Sequence, residues 1–304
     1  MTARTEQLSS PRILAGVPGQ IEVLVYQDGD LVDPEAMPAP SVTVRDAAGA
    51  TVASGEANIV GGDSGRLTFT LTAAQNARPA LLTATWTMTI GATEYVIQTT
   101  HETVGELLFT LAEARAFDEA ALSDASNYPT DTILRGRDLI LDAFTQICGF
   151  TFGTRYARDV LDGSGCAEIE VREQKVTAVR SIAERTVGSQ TFTAYSVDDL
   201  ADVLVYPTGR LIRETRGSFL TGRRNVAVEY EHGAAPIPLE IREAALRLMR
   251  DKLVSSALPD RATSQASEFG AFSLSTAGKS GAWFGIPRVD AVLDRLRRRR
   301  PGIA

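Results

Sequence analysis

The chain has 304 residues, 44% hydrophobic and 23% charged, with two cysteines and a formal charge of −7. This length and apolar content allow two or three buried cores and exclude a disordered polyelectrolyte. Cys148 and Cys166 are too few for a disulfide framework or a zinc site, and no run approaches the roughly 20 apolar residues of a membrane span. The first residues lack the apolar core of a signal peptide, so the chain is expected to be made and kept in a cytoplasm. Its charge is uneven: residues 1–104 hold five Arg against eleven Asp and Glu, whereas residues 285–304 hold six Arg against two Asp.

From Arg12 to Val104 the pattern is all β. Apolar residues alternate along Ile21–Tyr26, Val42–Val44, Arg66–Leu71, Leu81–Ile90 and Thr93–Thr100. Gly91-Ala92 joins the last two as a two-residue hairpin turn, and Asp28-Gly29, Ala48-Gly49 and Gly61-Gly62 mark further turns. Residues 12–104 therefore read as a self-contained β-sandwich of immunoglobulin-like architecture, without the Cys pair of an antibody domain. Gly62-Asp63-Ser64-Gly65 matches the surroundings of a serine-protease nucleophile, but no histidine precedes Ser64 and the reading is a hairpin loop. The carboxylates Asp28, Asp30, Asp33 and Glu35 lack the ordered spacing of a calcium loop.

Beyond Glu106 the period changes to that of helices. Thr110 and Glu113 form a capping box opening a helix to about Leu122, and Thr130 is placed to cap a longer helix from Asp131 to Cys148, stopped by Gly149. Phe150-Thr-Phe152, Arg155-Tyr156 and Leu161-Asp-Gly-Ser-Gly165 lead into short strands ending at Asn225–Tyr230. Tyr230-Glu-His-Gly233 and the prolines 236 and 238 make a corner. The helix after it places Ile241, Ala244, Ala245, Leu248, Met249 and Leu253 on one face. Residues 259–282 are rich in Ser, Thr, Ala and Gly and read as an extended loop. Trp283-Phe-Gly-Ile-Pro287 then opens a short helix with an apolar stripe of Val289, Val292, Leu293 and Leu296, followed by Arg297–Arg300.

Three of these stretches resemble, in order, the head-to-tail adaptor (connector) proteins of long-tailed bacteriophages, and the C-terminal one resembles especially those of phages infecting actinobacteria. They are the aromatic and Leu-Asp-Gly-Ser-Gly passage, the strand with its Tyr-x-His-Gly, proline corner and helix, and the Gly-Ile-Pro helix with its Arg-rich end. Together they span residues 106–304; the N-terminal sandwich lies outside the family pattern. Joined to the sandwich read from the strand pattern, what the resemblance implies is a multidomain α+β fold. Its parts are an Ig-like sandwich at 12–104, a helical adaptor domain at 105–258 with a β-insert at about 158–230, and a loop with C-terminal docking helix at 259–304. It implies a structural virion protein in the head–tail neck, assembled in the host cytoplasm as a ring of twelve copies. Its partners would be the portal, a neck, stopper or tail-completion protein, and non-specifically the genomic DNA in the channel, with no membrane. The docking residues would be Trp283, Phe284, Ile286, Val289, Val292, Leu293, Leu296 and Arg297, Arg298, Arg299 and Arg300. No cofactor motif and no catalytic constellation accompany Asp198, Asp199 or His232, so no enzymatic activity is expected. The alternative from another class is a carbohydrate- or cell-surface-binding module built on the N-terminal sandwich.

Overall fold

Period-two alternation becomes a set of strands that occupy most of the first hundred residues. The computed structural model describes residues 12–27, 30–34, 38–61, 64–186, 188–215, 217–254, 262–265, 272–274 and 283–297. The fold is mixed α+β and mostly β. Two compact units are each drawn from two stretches of sequence: Met1–Gly105 with Thr154–Gly233, and Glu106–Gly153 with Ala234–Ala304.

The first unit begins with β1 (Ile13–Leu14), β2 (Gly19–Leu24), β3 (Tyr26–Gln27), β4 (Asp30–Leu31), β5 (Ser41–Arg45) and β6 (Thr51–Glu56). β7 (Asn58–Val60), β8 (Arg66–Leu71), β9 (Ala80–Ile90) and β10 (Thr93–Val104) follow. One sheet has the order β1-β10-β9-β5-β6 and another β2-β8-β7. The inward residues of both, among them Ile21, Val23, Leu67 and Leu71 with Val42, Val44, Leu82 and Trp86, share one apolar core. β9 and β10 pair antiparallel with Thr93 opposite Ile90, and Gly91 takes φ +59° in the two-residue turn between them, a backbone region that favours glycine.

After two helices described below, the chain re-enters this unit as β11 (Arg155–Gly163), β12 (Glu168–Glu170), β13 (Val176–Glu184), β14 (Thr193–Ala194), β15 (Val203–Val205), β16 (Arg210–Arg213) and β17 (Gly222–His232). These form sheets β11-β17-β13-β14 and β12-β16-β15 around a core that includes Ile182, Leu211, Phe219, Val226, Val228 and Tyr230. The strands expected as an insert of the helical domain thus group with the N-terminal sheets. An ion cluster bridges the two stretches: Glu102 on β10 accepts from Arg12 Nε at 2.7 Å and from Arg155 Nη2, at the start of β11, at 2.6 Å.

The second unit contains α1 (Leu111–Ala120) and α2 (Thr130–Cys148). The short α3 (Val197–Ala201) belongs to the first unit, and α4 (Leu239–Leu253) and α5 (Pro287–Leu296) complete the second. The Thr110–Glu113 capping box forms as expected, with both reciprocal hydrogen bonds present. The helix does not run regularly to Leu122: Phe117 leaves helical geometry, and Asp118, Glu119 and Ala120 have positive φ. Side-chain contacts fix this turn. Asp118 pairs with Arg250 at 2.8 Å, and Arg115 Nη1 donates to the Leu122 and Ser123 carbonyls. Thr130 lies inside α2, and Pro129 stands at the cap position with no side-chain cap bond. Gly149 ends α2 at φ +79°. β18 (Ala262–Gln265) and β19 (Phe272–Leu274) form a two-stranded sheet. Among the described residues, no helix is long and apolar enough to cross a membrane.

Two histidines sit in the first unit as neutral groups. His101 is buried, with Nε2 2.6 Å from Thr99 Oγ1, which also accepts from Trp86 Nε1 at 2.8 Å. Desolvation lowers its pKa to about 4, and burial together with nearby Arg155 does the same for His232, against weaker opposing effects of Glu102 and Asp159. Both pKa values lie below the unfolded value of 6.5, so the unfolded chain takes up protons that the folded one refuses. The contribution is fully present above pH 6.5 and is lost as pH falls toward 4. Unfolding followed between pH 7.5 and 5 is expected to show a loss of about 2 kcal/mol per histidine, and His101→Gln to flatten that dependence. A stability that is level across this range would contradict neutral burial.

Candidate docking segment

The residues expected to dock on a partner are those of α5 and its lead-in. Gly285 turns the chain at φ +74°, and Pro287 enters the first helical turn, where its missing N–H leaves no helix bond unmade. Asp290 reaches back to accept from the backbone N–H of Phe284 at 2.9 Å and of Gly285 at 3.0 Å, which fixes the approach to the helix. Ile286, Val289 and Leu293 are buried, and they belong to the same apolar core as Phe144 of α2 and Ile241, Ala245 and Leu248 of α4. Val292, Leu296, Trp283 and Phe284 pack partly buried against that core, with the Phe284 ring 5.9 Å from that of Phe144.

The apolar stripe of α5 lies on a surface within the chain. A ten-residue helix is marginal alone, and α2 and α4 supply the apolar partner that holds it. Within this chain Ile286, Val289 and Leu293 are buried in that core. The charges of the segment are also partly engaged. Arg295 pairs with Glu240, and the Arg297 guanidinium lies 5.0 Å from the Trp283 ring centroid. Arg288, Asp294, Arg295 and Arg297 remain exposed; Arg298, Arg299 and Arg300 lie outside the described residues. Sequence reasoning missed two large apolar side chains that the second unit leaves in solvent, Leu139 on α2 at 66% and Leu239 at the start of α4 at 73% exposure. Each adjoins charged neighbours on an amphipathic helix, so composition alone gives no signal for them.

The other chemistry-bearing candidates have local structural roles. Ser64 Oγ donates to the Val60 carbonyl. Asp33 accepts from the Gly65 N–H at 2.7 Å, while Asp28 and Glu35 lie outside the described residues. Asp199 accepts from Ser196 Oγ at 2.6 Å at the N-terminus of α3. Asp198 also lies in the first turn of α3. Among the described residues no group of three or more His, Cys, Asp or Glu is placed to hold a metal. Cys148 is buried, which pushes its thiol up to about 11, and Cys166 is exposed.

No protein-family model and no curated protein matches this chain. Among solved structures it is similar to a chain from the neck of an empty GTA particle computed with C6 symmetry, at TM-score 0.39 and 14% identity over 64% of this chain and 96% of that one. A chain from the neck of the native GTA particle, computed with C12 symmetry, matches at TM-score 0.37 and 14% identity with the same coverage. CopC from Methylosinus trichosporium OB3b matches at TM-score 0.25 and 12% identity, over 34% of this chain and 91% of that one. At TM-scores below 0.5 these likenesses establish no shared fold.

The placement of α5 has a direct energetic consequence. Leu293 is fully buried, so Leu293→Ala is expected to cost about 2–5 kcal/mol, whereas Arg288→Ala, at an exposed position, should stay within about 0.5 kcal/mol. Equal and small effects in denaturant titrations would mean that α5 is not part of the core.

Proposed function

We propose that this chain is a structural virion protein, a head-to-tail adaptor that closes into a ring on the portal vertex and receives the next neck or tail-completion component. The observation that carries the reading is the order of parts from residue 106 to 304. A capping-box helix and a long helix come first, then a Leu-Asp-Gly-Ser-Gly passage into strands, then Tyr-Glu-His-Gly with a proline corner and helix, and last a Gly-Ile-Pro helix. The helices of this series meet in one core although residues 154–233 intervene between α2 and α4. A pattern scattered along the sequence thus has a common physical purpose. In this reading no cofactor and no catalysis are required, and twelve copies is the family expectation.

Portal contact then falls to exposed groups rather than to the buried stripe. Arg288 and Arg297 supply exposed positive charge, and Leu139 and Leu239 supply apolar anchors. A head-to-tail contact between copies must close into a ring or grow into a filament.

The test mixes purified protein with DNA-filled heads that lack it and measures co-sedimentation, with electron microscopy of the pelleted particles. A ring at the portal vertex is expected, and binding through exposed arginines should weaken with salt because free charges are screened beyond about 8 Å at physiological ionic strength. Leu239→Asp should reduce incorporation while leaving the melting curve unchanged. Heads that pellet without the protein at low salt would overturn the proposal.

A further inference from the structure

The pairing of β11 with β17 contains an irregularity that sets two arginines free. Leu161 lies opposite Val226 and Gly163 opposite Gly222, so Asp162 alone faces the three residues Arg223, Arg224 and Asn225. Such a bulge suspends the alternation of the strand: Arg223 and Arg224 are both exposed, and Asn225 turns inward and is buried. Arg224 has φ +46°, a left-handed conformation that costs a non-glycine residue on the order of 1 kcal/mol. The surroundings hold it there. Its N–H donates to Asp162 Oδ1 at 2.6 Å and its carbonyl accepts from Arg185 Nε at 3.2 Å, while Asn225 Oδ1 takes the Gly163 N–H at 2.8 Å.

On the strands that flank β17, Arg158 pairs with Glu229 and Arg180 with Glu231; in the other sheet Arg210 pairs with Glu168, and the largely exposed Arg172 lies 3.7 Å from Asp159. Among the described residues, no carboxylate pairs with the guanidinium of Arg223 or Arg224. A concavity of about 370 Å³ beside the bulge is lined, among the described residues, by Arg185 and Arg223 with Thr186, Ser189, Gln190 and Asn225 and two glycines. Arg185 is held over the Phe192 ring at 5.1 Å, which orients it. A second concavity, of about 520 Å³, contains Arg224, Arg172 and Asp162, whose Oδ1 is committed to the Arg224 N–H.

We propose that this bulge is a binding site for the phosphodiester backbone of a nucleic acid, with Arg185 and Arg223 on one phosphate and Arg224 and Arg172 on another. Planar guanidinium forks match phosphate oxygens, and the Thr186 hydroxyl and Gln190 amide stand beside them, while Ser189 and Asn225 donate to the Thr191 and Leu220 carbonyls. Two basic concavities, reached by consecutive residues, fit a polymer of phosphates better than a single one. The strain at Arg224 keeps two adjacent side chains on the exposed side, which a regular strand would not do. The site makes no base contact and reads no sequence. It stands independently of ring formation.

The experiment follows fluorescence anisotropy of a short labelled DNA duplex with the full chain at about 50 and about 200 mM salt. Arg223→Gln with Arg224→Gln should weaken binding about tenfold or more at the lower salt and reduce the slope of log K against log salt by about two. The loss should appear equally in a chain carrying R298Q, R299Q and R300Q. Arg224→Gly removes the charge and relieves the backbone, so it should bind more weakly while melting no lower than the wild type. Unchanged affinity in the double variant overturns the site. Displacement of the duplex by polyglutamate at matched charge would assign the patch to an acidic protein, and displacement by inorganic phosphate at matched phosphate would assign it to a small anion. Both contradict the proposal.

Discussion

The first unit depends on one largely buried carboxylate. Glu102 stands near the end of β10 and gathers Arg12, just before β1, and Arg155, the first residue of β11. Burial opposes its ionisation, but the hydrogen bonds and charges of Arg155 and Arg12 override that and hold its pKa below the usual carboxylate range. The three side chains come from segments far apart in sequence, and each is less than a quarter exposed. Removing one partner from such a cluster leaves uncompensated charge in a dry environment, a loss of about 3–5 kcal/mol. Glu102 therefore makes the N-terminal sheets and the later strands depend on one another.

That dependence shapes how the chain is put together. Neither unit is contiguous in sequence, and the chain passes between them at 105/106, 153/154 and 233/234. Each unit closes its own ends with backbone bonds: Gly105 N–H to the Thr154 carbonyl in the first, Gly153 N–H to the Ala234 carbonyl and Ala234 N–H to the Thr151 carbonyl in the second. The second unit also holds α5 against α2 and α4. A helix that would be marginal alone is thereby part of the core, and among the described residues the large apolar side chains this unit leaves in solvent are Leu139 and Leu239.

Much of this was legible in the residues, for reasons that differ by element. The β9–β10 hairpin shows itself through strict alternation and a glycine turn, α4 through an apolar face at helical spacing, and α1 through a capping box whose partners lie three residues apart. These are local signals. The break in α1 at Phe117 is set by Asp118 meeting Arg250, far along the chain, and no local pattern announces it. The α5 stripe shows that a surface is needed but not whose surface, because an apolar helix face carries no address. The Arg223-Arg224 bulge is hidden for the same reason: its strand reads as ordinary alternation from Val226 onward, and Asp162 on β11 and Arg185, just after β13, hold it from far along the chain.

The central claim, that Glu102 joins the N-terminal sheets and the later strands into one cooperative unit, is tested most directly by amide hydrogen exchange on the full chain and on Glu102→Gln. Exchange in core strands reports the free energy of the opening that exposes them. Protection is expected to fall together, by a similar factor, in β9 and β10 and in β13 and β17. A fall confined to β1 and β10, with β13 and β17 as protected as before, would contradict it.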